Sequence, residues 1–429
     1  MAPTPRHTLQ DWLAHIERLH AQPIALGLDR VLAVRRVLGA RQNAPVISVG
    51  GTNGKGSTCA MLERILLSAG YRVGLYTSPH LIDYNERVRI DGRPASDEVL
   101  CASFAKVEAA RGDASLTYFE FGTLAAWEAF SGAAVDVVIL EVGLGGRLDA
   151  VNVFDADCAV VTSVDLDHMD YLGETREAIG FEKAGIFRPG RPAILGEAQP
   201  PQSLLDHAAS IGARLQIMGR DFGYMAEQGQ WTFWSRRGRR GGLAYPALRG
   251  AIQLANASTA IAVLEALAER LPVSMQDIRR GLIEVALPGR FQVLPGRPTV
   301  VLDVGHNPQA AGVLAENLGG MAFHPETWAV FGMLHDKDIA GVVERVRGRI
   351  DRWLVTGLPG PRGLGATGMA ELLESLGIHV EGRFDSPAEA YCAAKGRAGE
   401  DDRIVAFGSF LTVSGVLQAI DDERKRRTT

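Results

Sequence analysis

The sequence predicts an α/β fold in two domains, the first built on a mostly parallel sheet with a small antiparallel β region. Three observations carry this. Short β-branched runs alternate with amphipathic helical stretches along most of the 429 residues. A glycine-rich loop, Gly50-Gly51-Thr52-Asn53-Gly54-Lys55-Gly56-Ser57-Thr58, stands between a strand and a helix. The alternation then starts afresh at Thr299, after the proline- and glycine-rich stretch Pro288 to Pro298.

The elements follow in order. Residues 8–38 read as helical, interrupted by a loop at Ile24 to Leu28. Val46 to Val49 is a β-branched run that reads as a buried strand. After the glycine loop, Met61, Ile65 and Ala69 recur at spacing four beside Leu62 and Leu66, the apolar face of a helix. Tyr71 to Thr77 is a second strand, which makes a βαβ unit and implies parallel pairing. Tyr118 to Phe130 reads as a helix, and Val135 to Leu140 as a third strand that ends on Glu141. Ala159 to Thr162 is a fourth strand, followed by Asp165-Leu166-Asp167-His168. Ile194-Leu195 and Arg214 to Met218 are a fifth and a sixth. The segment 219–249 reads as antiparallel, with Arg236 to Arg240 as a solvated hairpin tip. Helices between about 251 and 286 close the first domain. Thr299 to Asp303, Trp328 to Phe331, Trp353 to Val355 and Arg403 to Phe407 are strands of the second. The charged end, Asp421 to Thr429, is expected to fray.

Composition narrows the function. Hydrophobic residues make up 46% of the chain, enough for real cores, so global disorder is excluded. A net charge of −5 argues against a nucleic-acid binder with a broad basic face. No apolar run reaches the roughly eighteen residues of a membrane span. The four cysteines lack metal-ligand spacing, and Met1 to Arg6 is polar rather than a secretory leader, so a reducing, cytoplasmic setting is expected.

The glycine loop is a phosphate cradle by its chemistry. Small residues let backbone amides converge on an anion, the helix end favours negative charge, and Lys55 adds a point charge. The usual nucleotide loop would have Gly at 49 and Ser or Thr at 56; Val49 and Gly56 stand there instead. Thr77 and Ser78 leave the neighbouring strand at the same sheet edge, where ligands of open α/β sheets gather. Glu141, at a strand tip near phosphates, suits Mg²⁺. A dinucleotide reading of Gly143 to Gly146 would need an amphipathic helix next, which Arg147 to Asn152 do not supply. His168 shares the strand edge. Lys183 lies on a short helix, and spacing alone does not single it out. Asp303 and His306 follow the first strand of the second domain, and Arg290 stands in the linker.

Taken in order, these motifs resemble a known family. They are Gly51 to Ser57, Thr77-Ser78-Pro79-His80-Leu81, Glu141 to Ala150, Asp167-His168, Glu182 to Ile186 and Asp303 to Pro308. The series closely resembles folylpolyglutamate synthases, and within them the bifunctional bacterial dihydrofolate synthase/folylpolyglutamate synthases, relatives of the Mur ligases. The match runs from about residue 24 to residue 413, and the shifted phosphate loop is the form seen in that family. The resemblance implies a P-loop domain at 1–290 that binds ATP and pterin, and a Rossmann-like domain at 291–429 on the glutamate side.

It also implies ATP-dependent joining of L-glutamate to 7,8-dihydropteroate and then to reduced folates, through an acyl phosphate. By the match, Thr52, Asn53, Gly54, Lys55, Gly56 and Ser57 would hold the ATP phosphates. Asn256, Arg290, Asp303 and His306 would reach ATP from the hinge and second domain. Ser57, Ser78 and Glu141 would bind one Mg²⁺ and His168 a second. Lys183 would carry a carbamate and act with Lys55 and His168 in catalysis. Ile24, Ala25 and Leu26, Thr117, Tyr118, Phe119 and Glu120, and Leu148, Asp149 and Ala150 would line the pterin site. Val151 stands where Thr often follows Asp-Ala, and Ala25 where bifunctional relatives can carry an acid. The resemblance implies a cytoplasmic monomer without nucleic-acid or membrane partners. A ligase with polyglutamylation activity alone, a non-catalytic nucleotide-binding protein and a Mur-type ligase acting on cell-wall precursors are the alternatives.

Overall fold

The computed structural model describes residues 8–22, 24–39 and 43–428, so Met1 to Arg6 lies outside the described residues. The chain divides into two compact units. The first runs to Ala247 and takes in Leu254–Val285; the second comprises Leu248–Gln253 and Ala286–Thr429.

The first unit holds an eight-stranded sheet. Its strands in chain order are β1 (Val46–Gly50), β2 (Val73–Tyr76), β3 (Val88–Ile90), β4 (Arg93–Pro94), β5 (Val137–Glu141), β6 (Cys158–Val161), β7 (Pro192–Leu195) and β8 (Arg214–Ile217). The order across the sheet is β4-β3-β2-β5-β1-β6-β7-β8. All neighbours from β2 to β8 pair in parallel, while β3 and β4 add an antiparallel edge that the sequence reading lacked. β1 lies between two strands that come much later in the chain. The connection out of β1 runs to one side, to β2, and that out of β6 to the other, to β7, and sheets of this kind bind ligands at the carboxyl ends beside such a reversal. Every residue of β1, β2, β5, β6 and β7 is buried, as strands covered by helices on both faces must be.

A second sheet is antiparallel, as expected: β9 (Phe222–Glu227), β10 (Gln230–Ser235) and β11 (Gly238–Leu243) in the order β11-β10-β9. Its arginines are not all solvated. Arg240 leaves the hairpin tip to pair at 2.8 Å with Glu265, a buried carboxylate on the helix Ile252–Ala266.

The second unit carries β12 (Gln292–Leu294), β13 (Thr299–Asp303), β14 (Thr327–Phe331), β15 (Arg352–Thr356), β16 (Val380–Phe384) and β17 (Arg403–Phe407), in the order β12-β13-β17-β14-β15-β16. All pairs are parallel except β12 with β13. The charged end is helical rather than frayed as far as Thr428, and Thr429 lies outside the described residues. The last helix runs from Phe410 to Thr428, because Val413, Val416, Ala419 and Ile420 bury one face and carry the charged turns that follow. Among the described residues no helix is long and apolar enough to cross a membrane.

The helix that follows the glycine loop, Lys55–Ser68, packs against the helix Met275–Glu284 at a glycine. A Cβ on Gly281 would stand 2.6 Å from the Cα of Ile65 and 2.8 Å from its backbone nitrogen. Gly281→Ala is therefore expected to push the two helices apart and cost about 1–3 kcal/mol. Thermal unfolding would read this as a lowered midpoint, and an unchanged midpoint would show that the contact yields without cost.

Candidate active site

The glycine loop leaves β1 at the carboxyl edge. Register places Val49 beside Glu141 of β5 and Gly50 beside Val161 of β6. Gly51 has φ +144° and Gly54 φ +87°, values that L side chains rarely adopt. Space demands glycine as well. A Cβ would lie 1.9 Å from Thr162 Oγ1 at position 51, and 2.6 Å from Asn256 Oδ1 at position 54. The helix Lys55–Ser68 begins with no side-chain cap, so its first amides are open to an anion. The Thr58 hydroxyl behind them is buried without a hydrogen-bond partner. Lys55 folds over the loop, its Nζ donating to the carbonyls of Gly51 (2.9 Å) and Thr52 (3.2 Å). Glycine backbone, uncapped helix end and lysine together fit a phosphate chain.

The segment after β6 braces this loop. Thr52 donates its amide to the Ser163 carbonyl (2.7 Å), and its hydroxyl lies 3.1 Å from the Asp165 carbonyl and 3.0 Å from the Asp165 amide. The Asn53 amide donates to Ser163 Oγ (3.0 Å), and Thr162 Oγ1 donates to the Asn53 carbonyl (2.6 Å). Arg176 Nε in turn donates to the Val164 carbonyl (3.0 Å), while Glu197 accepts from the Val164 amide (3.3 Å). Burial raises the Glu197 carboxyl to about 7. Of these, Thr162, Ser163, Arg176 and Glu197 were not assigned to the site from sequence. Thr162 and Ser163 carry a visible signal, two hydroxyls at a strand end, whereas Arg176 and Glu197 meet only in the fold.

Glu141 is buried at the tip of β5 and accepts from the Ser78 amide at 3.1 Å. Cys59, on the helix after the glycine loop, reports the surrounding charges. Burial and then Glu141 push its thiol well up, while Lys55 opposes them. His168 sits at φ +52°, an uncommon setting for a non-glycine residue, and its amide donates to Asp167 Oδ1 (2.9 Å). Lys183 is buried on the helix Arg176–Ala184. Burial first, and the charge of Lys55 second, bring its ammonium from 10.5 down to about 7, against Asp167, Asp149 and Glu197. Among the described residues no three His, Cys, Asp or Glu side chains form a ready metal cage. Oxygen donors at Ser78 and Glu141 without a full cage suit a Mg²⁺-type ion that shares its shell with phosphate and water.

The residues named for the pterin site also gather in the first unit. The Gly27 amide donates to the Leu148 carbonyl (3.4 Å), which ties the loop Ile24 to Leu26 to the segment Leu148 to Ala150. Arg30, missed from sequence, donates to the Ala25 carbonyl (2.8 Å) and to Glu120 Oε1 (2.9 Å). Thr117 and Glu120 cap the helix Tyr118–Ala133 reciprocally, at 2.7 and 3.2 Å. Phe119 takes the space a side chain on Gly143 would need, since a Cβ there would lie 2.7 Å from Phe119 Cζ. Tyr118 packs edge-on against Tyr84, and the Arg87 guanidinium lies 5.4 Å from the Tyr118 ring centre. Asp149 accepts from the amides of Leu144 (2.7 Å) and Val151 (3.0 Å), and burial raises it to about 6.

In the second unit Asp303 ends β13 and accepts from the amides of Gly305 (2.7 Å) and Phe291 (2.9 Å); burial raises its carboxyl. Arg290 lies 5.0 Å from the centre of the Phe410 ring, and His306 6.3 Å from the same ring. Phe410 was not named from sequence; its position just past β17 was the available sign.

Comparison with known proteins gives the family. Residues 49–264 match the Mur ligase middle domain, and residues 289–410 match the Mur ligase glutamate ligase domain. The dihydrofolate synthase/folylpolyglutamate synthase of Escherichia coli K12 is 48% identical over 98% of this chain and 98% of its own length. The chain belongs to the dihydrofolate synthase/folylpolyglutamate synthase family. Its fold is that of these Mur-type ligases throughout. Escherichia coli FolC in complex with DHPP and ADP superposes with a TM-score of 0.93 at 47% identity, covering 99% of this chain and all (100%) of the other. A bifunctional folylpolyglutamate synthase/dihydrofolate synthase with Mn, AMPPNP and L-glutamate bound superposes at 0.90 with 46% identity, covering 98% and 100%. The sheet that carries the glycine loop at the carboxyl end of β1 therefore belongs to a ligase scaffold rather than to a kinase or a simple ATPase.

Proposed function

We propose that the chain is an ATP-dependent ligase that joins L-glutamate to 7,8-dihydropteroate, and then to the γ-carboxylate of reduced folates. The observation that carries the reading is one constellation: an uncapped helix end with Lys55 over a glycine loop, Glu141 beside Ser78 one strand away, and a buried Lys183 near neutrality. Relatives with ADP, DHPP, AMPPNP, Mn and L-glutamate bound support the substrates. Residues 1–290 would serve ATP and pterin and residues 291–429 the glutamate side. The chain would work in the cytoplasm as a monomer on small molecules alone.

A carboxylate is a poor electrophile, and phosphorylation supplies a leaving group. The substrate carboxylate oxygen attacks the γ-phosphorus, the bond to the bridging oxygen breaks, and ADP leaves. The glutamate amine then attacks the carbonyl carbon of the acyl phosphate, loses a proton, and expels phosphate as the amide forms. Thr52 and Asn53 would hold the phosphate loop in shape through their own hydrogen bonds, Gly54 to Ser57 would face the phosphates, and Lys55 would offset charge as the phosphoryl group moves. Ser57, Ser78 and Glu141 would hold one Mg²⁺ and His168 a second, and the ions would neutralise the phosphoryl oxygens. Asn256 lies at Gly54, where it would meet the nucleotide, and Arg290, Asp303 and His306 would serve it from the second unit.

Lys183 is the residue whose chemistry changes most. A carbamate forms only on a neutral amine, by attack of its lone pair on CO₂ with loss of a proton. Burial and Lys55 hold Lys183 near 7, so at neutral pH a large share of the amine is uncharged. The carbamate would then turn a buried cation into an anion suited to the second metal. As pH falls through about 7 the proton competes with CO₂, and the modified fraction declines.

Phosphate release dependent on ATP and L-glutamate, measured with dihydropteroate and separately with tetrahydrofolate, tests the reading. Turnover of both is expected, and no turnover of dihydropteroate would remove the first activity. Lys183→Ala should abolish ligation and leave ATP binding largely intact, and the wild-type rate should fall on acidification below about pH 7. Near-normal turnover by that variant would refute its role. Glu141→Ala should raise the Mg²⁺ requirement severely; an unchanged Mg²⁺ titration contradicts the assignment.

A further inference from the structure

Lys183 sits on a helix whose end is tied to the pterin-side loop by an amide side chain, beside a second tie through Arg147. Asn152 Nδ2 lies 3.0 Å from the carbonyl oxygen of Arg147 and 3.0 Å from that of Gly185. Its Oδ1 accepts from Arg188 at 2.9 Å. Two acceptors on one side and a cation on the other fix which end of the amide is nitrogen. The bridge spans two segments with distinct tasks. Arg147 opens the run Leu148 to Ala150, and Gly185 follows Lys183 by two residues.

The contact around the bridge leaves no slack. The Arg147 amide donates to the Glu182 carbonyl (2.8 Å), and their side chains pair at 2.8 Å. A Cβ on Gly146 would lie 2.9 Å from the Glu182 carbonyl oxygen, and one on Gly185 would lie 2.4 Å from Arg147 Cβ. The loop is thus held to the residue before Lys183 by Arg147 and to the residue two after it by Asn152. The Arg147 ion pair is half exposed, so it is the weaker part of the hold. Asn152 makes two donations that no other uncharged side chain of its size can reproduce.

We infer that Asn152 is a positioning residue for ligation: it fixes the distance between the Lys183 amine and the substrate held by Leu148 to Ala150. Its side chain bonds Arg147, Gly185 and Arg188, and the inference rests on the proposed roles of Lys183 and that loop. Displacement of a reacting group by about 1 Å can cost on the order of a hundredfold in rate. The phosphate cradle hangs from β1 and the segment after β6, so ATP binding should not feel the change.

The test uses the full chain and three variants, Asn152→Ala, Asn152→Asp and Asn152→Ser. Asp keeps the shape but offers no N–H, and Ser can donate once. ADP titration counts folded sites, so kcat is expressed per site. The expected result is a kcat per site lowered by about tenfold or more in Ala and Asp, less in Ser, with KM for ATP within about twofold of wild type. Labelling with ¹³C-bicarbonate adds a second readout, the carbamate signal of Lys183, which should weaken in the same order. A kcat per site within about twofold of wild type in both Ala and Asp, or a rise in KM for ATP that matches the loss in kcat, overturns the inference. A wild-type chain without the ¹³C signal removes the carbamate reading instead, and the kcat comparison still decides the role of Asn152.

Discussion

The contact of Gly51 with Thr162 is the constraint on which the site depends. At φ +144°, and with Thr162 Oγ1 where a Cβ would be, residue 51 allows β1 to turn directly under the end of β6. Thr52 and Asn53 can then bond to Ser163 and Asp165. A loop held at so many points pays little ordering entropy when an anion enters it. The same contact fixes the start of the Lys55–Ser68 helix, and so the direction in which its open amides face.

Charge is distributed around that fixed loop in a way that links its parts. Lys55 is positioned by backbone carbonyls rather than by a carboxylate, so its full charge is available to a phosphate. The same charge acts on Lys183, adding to burial to bring that amine near neutrality. The cation proposed to serve phosphate therefore also lowers the proton affinity of a second lysine. Neither effect needs a contact between the two lysines, since buried charges interact over distance in a low dielectric.

What could be read from the sequence was whatever local pattern dictates. Buried β-branched runs named β1, β2, β5 and β6 to within a residue or two, and the glycine loop announced itself. Glu141 and Ser78 were placed at one edge because parallel strands align their carboxyl ends, and they meet there at 3.1 Å. The residues missed act through the fold. Arg30 lies in sequence far from Glu120, Arg176 from Glu197, and Phe410 from Arg290; each pair is joined by topology, with no periodicity to betray it. The fifteen-residue helix Asp97–Arg111, and β3 and β4, were also unread, because their apolar spacing is weak or their strands too short. The charged C-terminal turns misled in the opposite direction: composition suggested fraying, but the apolar face ahead of them holds the helix.

Position 25 shows how the fold changes the weight of a single residue. From sequence, Ala25 stands where an acid would suggest a direct contact with a pterin. In the structure the loop is held there by its backbone, the Ala25 carbonyl to Arg30 and the Gly27 amide to Leu148. Arg30 is held in turn by Glu120, which also caps the helix Tyr118–Ala133. The loop's position is thus independent of the side chain at 25, and alanine there removes a contact without moving the wall. Asp149 repeats the logic, since both its oxygens are spent on the amides of Leu144 and Val151. Much of the polar chemistry around the proposed pterin site maintains shape. Recognition at the proposed site would then draw on backbone groups and on the half-buried rings of Tyr118 and Phe119, which would serve a ring system equally before and after glutamate is added.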